Sequence, residues 1–151
     1  MNLQQLAAIF KADLEQQLEA AYSVAAFCRH AQITRSRFYR RYNSLAYFAA
    51  ACLLFEVRAC LADNSSSQQL AALLALVKDN QTYFANLKKL LFKRHQVVAH
   101  LEQEFLKSMQ MYGQLSEQEV RVIFRLLAYW LMTDCQESER QVLEELRWVS
   151  R

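Results

Sequence analysis

Proline is absent from this chain, and glycine occurs once, as Gly113. Both residues punctuate strands and turns, so their scarcity argues against a sheet-rich fold and for helices joined by short polar links. The four cysteines, Cys28, Cys52, Cys60 and Cys135, show neither Cys-x-x-Cys nor Cys–His spacing. They read as buried reduced thiols rather than metal ligands or a disulfide framework, and no cofactor is expected. No apolar run reaches about 18 residues without a charge or amide, so no membrane partner is expected. The opening MNLQQLAAIFKADLEQQL has no cationic start and no cleavable apolar block, which points to a cytoplasmic protein rather than a secreted one. Catalytic signatures are missing too: there is no Ser-His-Asp pattern, paired-carboxylate context or glycine-rich phosphate loop, so an enzyme is not expected.

What remains is abundant apolar material. Hydrophobic residues make up 54% of the 151, enough for a core in one compact domain or in a small head fused to a larger body. With so few breakers, the expected fold class is all-α. The net charge of +3 is unevenly placed. Up to Leu45, Lys11 and five arginines oppose only Asp13, Glu15 and Glu19, whereas twelve basic and twelve acidic residues balance from Ala46 to Arg151. The whole excess sits in the first third, as expected of a nucleic-acid-binding head on a neutral body.

The excess is concentrated further. Cys28 to Tyr42 contains Arg29, Arg35, Arg37, Arg40 and Arg41 and no Asp or Glu. Phe27, Ile33, Phe38 and Tyr42 are interleaved with these arginines, so the segment can pack and still present a basic face. Ser23 is a good N-cap for a helix in which Val24, Phe27 and Ala31 share a face. Gln32 and Ile33 interrupt that helix, and Thr34 can cap a second one, where Phe38 and Tyr42 share one face and Arg37 and Arg41 another. Like charges so close repel unless a polyanion supplies the counter-charge. A helix-turn-helix, with its second helix in the major groove of DNA, is the simplest device of this kind.

The run Ser23-Val24 to Ala31, then Ile33-Thr34 and Phe38-Tyr39-Arg40-Arg41-Tyr42, resembles the DNA-binding segment of the tetracycline-repressor (TetR) family of transcriptional regulators. The resemblance implies a three-helix head over residues 1–45 and a helical ligand-binding and dimerisation body over 46–151. It implies that Thr34, Arg35, Ser36, Arg37 and Tyr39 face double-stranded DNA, with Ser23, Tyr39 and Arg40 or Arg41 holding phosphates and Phe38 and Tyr42 locking the helix to the core. Two positions depart from the family pattern. Gln32 stands where glycine is usual, which calls for a turn with positive φ or a shifted helix end. Leu45 stands where a lysine commonly touches phosphate.

The remaining chain reads as successive helices. The first spans residues 2 to about 20, with Leu6, Ile9, Phe10, Asp13, Leu14 and Leu18 as its mostly apolar stripe and Glu19 outside it. Ser44 caps a long apolar helix to about Asp63. Another helix runs from Ser67 to about Lys78. Thr82 is the expected cap of the next, in which Tyr83, Phe84, Leu87, Leu90 and Leu91 oppose Lys88, Lys89, Lys93 and Arg94. This second basic cluster reads first as a solvated face. Val97, Val98, Leu101, Phe105 and Met109 mark a helix from His95 to about Met111, with His100 off the stripe and Gly113 at the end. Ser116 and Glu119 have capping-box spacing, and a last helix runs from Ser138 to about Val149.

The tail adds to the resemblance. Trp130, the linker Gln136-Glu137-Ser138 and a final helix match the end of many TetR-like bodies, in which these helices pair across a two-fold axis. The apolar residues Ile123, Leu127, Trp130, Leu131, Val142 and Leu146 are therefore expected at a homodimer interface. The resemblance also implies a small apolar effector in the body, with Tyr83, Phe84, Phe105 and Phe124 as its lining, although ordinary core is the plainer reading of these aromatics. The expected function is that of a dimeric repressor on a palindromic operator. The alternative is a helical protein-interaction module with a degenerate DNA-binding head.

Overall fold

The computed structural model describes residues 1–16, 22–113 and 115–149. These residues form nine α-helices and no strand: α1 (Leu3–Leu14), α2 (Val24–Ala31), α3 (Arg35–Arg41), α4 (Leu45–Ala62), α5 (Gln69–Lys78), α6 (Gln81–Leu91), α7 (His95–Tyr112), α8 (Glu117–Met132) and α9 (Glu139–Val149). The all-α expectation holds. Leu18 and Glu19 lie outside the described residues.

Hydroxyl and amide caps set most helix starts. The side chains of Asn2, Ser23, Thr34, Ser44 and Ser116 each accept a backbone N–H from the first turn of the following helix. Each such cap is worth about 1 kcal/mol. Ser138 does the same for α9, accepting from the Gln141 amide at 3.2 Å. Thr82 is not a cap: α6 begins two residues earlier than that cap implies, after Asn80, whose side-chain amide turns back to donate to the Leu76 carbonyl at 2.8 Å. Gly113 ends α7 in an extended conformation, φ −142° and ψ 180°. Space rather than handedness explains this glycine, because a Cβ there stands 3.0 Å from the Met109 carbonyl oxygen.

Helix α4 is central and packs against α1, α5, α6 and α7. It is long and apolar enough to cross a membrane by composition, with a mean hydropathy of 1.8. Here both of its charged residues are paired, Glu56 with Lys11 at 3.3 Å and Arg58 with Glu104 at 3.2 Å. Two buried amides tie helix ends together. Gln69 Nε2 donates to the carbonyls of Leu61 and Tyr112 at 3.1 and 3.0 Å, closing the ends of α4 and α7. Asn86 Nδ2 donates to the carbonyls of Leu14 and Gln16 at 2.8 and 3.1 Å, so α6 caps the end of α1. A buried carbonyl without a partner costs roughly 1–3 kcal/mol, so these amides fix the order of the helices as well as their packing.

Helix α9 folds back onto α5 and α8. This changes the reading of the terminal apolar stripe. Ile123, Trp130, Val142 and Leu146, expected between subunits, are buried within the chain, Ile123 and Leu146 completely. The Trp130 indole N–H is also used internally, donating to the Glu137 carbonyl at 2.8 Å. Leu127 and Leu131 are half-buried against the core. The most exposed large apolar side chains of α8 and α9, among the described residues, are Val122, Tyr129, Met132 and Trp148.

Candidate nucleic-acid interface

The interface candidate is built on an aromatic cluster from three consecutive helices and the start of a fourth. Phe38 is the buried residue of α3, and its ring lies 6.0 Å from Phe27, 5.6 Å from Tyr42 and 5.5 Å from Phe48. Phe48 in turn lies 4.7 Å from Phe27 and 5.1 Å from Phe10. These tilted and edge-on pairs each add about 0.5–1.5 kcal/mol to the area they bury. A helix as short as α3 has little intrinsic stability in water, so this anchoring holds it in place.

The turn between α2 and α3 is tight. Gln32 adopts a left-handed conformation, φ 56° and ψ 42°, the first of the two alternatives expected at this position. The Ile33 amide then donates to the Cys28 carbonyl at 3.0 Å, and the Cys28 thiol donates to the Thr34 carbonyl at 3.9 Å. Burial pushes the Cys28 thiol up, opposed by the nearby Arg35 guanidinium. The Thr34 hydroxyl accepts from the Arg37 amide at 3.1 Å and so starts α3.

With Phe38 inward, Thr34, Arg35, Ser36, Arg37, Tyr39, Arg40 and Arg41 are all exposed. They are not equivalent. At 3.6 residues per turn, Ser36 and Arg40 stand opposite Phe38, with Arg35 and Tyr39 on one flank and Arg37 and Arg41 on the other. Arg41 is already engaged: its Nη1 donates to the Met1 carbonyl at 3.2 Å, and its guanidinium lies 5.4 Å from the centre of the Tyr42 ring. Arg37 lines a small groove with Met1, Leu6, Ile33 and Arg41 on that same flank. The Ser23 hydroxyl, expected on a phosphate, accepts from the Ala26 amide at 3.2 Å and remains exposed. Among the described residues Arg29, Arg35, Arg37, Arg40 and Arg41 form no ion pair. Leu45 is half-buried and contributes no charge.

A supporting residue escapes the sequence pattern. Asp13, read as part of the α1 stripe, accepts a hydrogen bond from the Tyr22 hydroxyl and lies 2.8 Å from His30 Nδ1. It thus joins α1 to the segment leading into α2 and to α2 itself. Burial first, and then this hydrogen bond, raise the Tyr22 phenol above its ordinary value. A carboxylate in a helical stripe is the one available signal, and nothing in the spacing points to its partners.

Helices α4 to α8 border a cavity of about 60 Å³ lined only by apolar side chains, including Phe84, Phe105, Phe124, Leu127 and Leu131. Three of the aromatics expected around an effector meet there. Tyr83 does not: its ring lies beneath the Lys11 ammonium, 5.5 Å from the centroid, and burial and the adjacent Glu56 carboxylate raise its phenol. The reason is the helical period, since Tyr83 and Phe84 are about 100° apart on α6 and face different neighbours. The cavity holds a few waters' worth of space, far below the roughly 300 Å³ of an ordinary ligand pocket. Among the described residues no group of three or more His, Cys, Asp or Glu side chains has metal-binding geometry. No known protein family matches the chain, and no curated protein is significantly similar to it.

Proposed function

We propose that this chain is a sequence-specific, TetR-like DNA-binding transcriptional regulator, acting in the cytoplasm as a homodimer. The observation that carries the reading is the outward face of α3, where several guanidiniums stand without acidic partners on a helix fixed from behind by Phe38. In this reading α2 and α3 form a helix-turn-helix. Arg40, Ser36 and Arg35 point into the major groove, where an arginine that meets guanine O6 and N7 together gives about 1–3 kcal/mol of discrimination. Tyr39 and the capping hydroxyls of Ser23 and Thr34 face the phosphates, because a hydroxyl that accepts a backbone N–H still has its own proton to donate.

Two such helices, held about 34 Å apart, meet successive major grooves of a palindrome. The dimer surface of this reading is Val122, Tyr129, Met132 and Trp148, the exposed apolar side chains of α8 and α9. An effector enters as a small apolar molecule in the cavity bordered by Phe84, Phe105 and Phe124. At its present size the cavity admits one only if its helices part, and that parting is the means of changing the distance between the two DNA-binding ends.

The test is to mix the purified protein with fragmented DNA of its source genome, sequence what is retained, and repeat with Arg40→Ala and Arg37→Ala. One or a few palindromes are expected, with Arg40→Ala losing the enrichment most completely. A folded, dimeric protein that retains no fragment at moderate salt overturns the reading and favours a protein-interaction module instead.

A further inference from the structure

The turn between α6 and α7 carries Lys93 and Arg94, and α7 opens with His95, all three exposed. Most cations of α4 to α9 are neutralised in place: Arg58, Lys88, Lys107, Arg121, Arg125 and Arg140 each meet a carboxylate. Among the described residues Lys78, Lys89, Lys93 and Arg94 meet none, and of these only Lys93 and Arg94 are adjacent. Adjacent cations with no carboxylate beside them repel, and an anion arriving from outside relieves that repulsion.

Their position in the fold indicates which anion. Helices α4 and α7 run parallel, because Tyr47 near the start of α4 meets His100 with ring centroids 5.4 Å apart, and Arg58 near its end donates to Ser108 Oγ at 3.0 Å. Both helices therefore begin at the same end of the molecule. At about 1.5 Å per residue, His95 lies roughly 7–8 Å before His100, whereas Leu45 lies roughly 3 Å before Tyr47. By the second contact His95 and Leu45 are level, each standing 13 residues before its partner, so the α6–α7 turn lies at the start of α4, near the Tyr42-Asn43-Ser44 link that leads out of α3. The unpaired cations of the turn and those of α3 flank the same end of α4.

We propose that Lys93 and Arg94 form an auxiliary phosphate-binding surface for the duplex held by α3, extending the bound length of DNA on the side of the α3 C-terminus. This rests on the proposed DNA-binding function. Phosphate binding of this kind adds affinity and salt dependence without adding sequence preference, since phosphates are the same at every step. The solvated-face reading of the cluster accounts for its exposure but not for its position at the α3 end of the fold.

The probes are duplexes selected by the wild-type protein from a random-sequence pool. Binding is measured against salt concentration by fluorescence anisotropy for the wild type, Lys93→Ala/Arg94→Ala, Lys93→Glu/Arg94→Glu and Arg40→Ala. The alanine pair is expected to keep the wild-type circular dichroism and sequence preference while the salt slope becomes shallower by about 0.9 for each phosphate no longer neutralised. The glutamate pair is expected to bind about tenfold more weakly or worse, because it repels the same phosphates. Unchanged slope and affinity in both pairs, with Arg40→Ala still impaired, overturn the auxiliary surface and leave the DNA-binding function standing. A wild-type protein that selects no duplex overturns both.

Discussion

The Ile33 amide donates to the Cys28 carbonyl at 3.0 Å, and this bond holds Gln32, between them, at φ 56°. A side chain with a Cβ is strained in the left-handed region, by roughly 1–2 kcal/mol for an ordinary residue. Gln32→Gly removes that strain, partly offset by the greater freedom of glycine in the unfolded chain. The expected net effect is a gain of about 0.5–1 kcal/mol, read as a melting temperature higher by about 1–4 °C. A lower melting temperature contradicts this account of the turn.

Asp13 connects α1 to Tyr22 and His30, and its replacement tests whether that connection positions α2. Asp13→Ala leaves the half-buried Tyr22 hydroxyl without its acceptor, an expected loss of about 1–3 kcal/mol in urea unfolding. Tyr22→Phe in the Asp13→Ala background is expected to cost little more, because the partners act as one unit. Strict additivity of the two losses in a double-mutant cycle counts against the network.

How much of this site was legible in the sequence depends on the range of each interaction. The caps at Ser23, Thr34, Ser44 and Ser116 act over three residues, so their signals are local and readable. Phe38 as the inward residue of α3 follows from the interleaving of aromatics and arginines. The Asp13 network spans 9 and 17 residues and has no periodic signature. The difference between Arg40 and Arg41 is hidden for a related reason, since it depends on the Met1 carbonyl lying beside α3. The tail shows the limit most clearly: periodicity told that Val142 and Leu146 are covered, but not that α5 and α8 of the same chain cover them.

Arg40 and Arg41 are adjacent in sequence and have opposite expected phenotypes. Arg40 projects away from the core, so in the proposed function Arg40→Ala weakens DNA binding and relaxes preference at one position of the site. Arg41 is held against Met1 and Tyr42, so Arg41→Ala costs stability, about 0.5–1 kcal/mol, more than it costs specificity. Melting curves and binding to selected duplexes distinguish the two. Equal loss of sequence preference in both variants contradicts the assignment of faces on α3.

The buried tyrosine beside Glu56 sets an alkaline limit on stability. The Tyr83 phenol is raised above the ordinary 10.0, mainly by burial and then by the Glu56 carboxylate, so the folded state keeps its proton while the unfolded chain loses it. The contribution is complete below pH 10.0 and is lost as pH rises toward the raised folded value. In that window stability falls by about 1.4 kcal/mol per pH unit for such a group. Tyr83→Phe removes its proton from the balance, so the fall above pH 10 is expected to be less steep, with Tyr22 and Cys52 still contributing. Identical slopes in urea titrations of the two proteins rule Tyr83 out as a source of the dependence.

The terminal helices separate folding from association. Tyr129 is 62% exposed and Ile123 is 0% exposed, although both lie on α8. Burying an isolated charge at Ile123 destroys the packing of α8 on the core, so Ile123→Asp is expected to unfold the chain or lower its stability by several kcal/mol. Tyr129→Glu replaces a largely exposed side chain and is expected to leave the helical circular dichroism intact. In the proposed dimer it places a carboxylate among Val122, Met132 and Trp148 of an apolar interface, and sedimentation then shows a folded monomer. Such a monomer presents one α3 instead of two, so its affinity for a palindromic duplex drops steeply while each half-site is still read. If Tyr129→Glu sediments as the wild type does, the dimer uses another surface, and the exposed apolar side chains of α8 and α9 are not what joins the subunits.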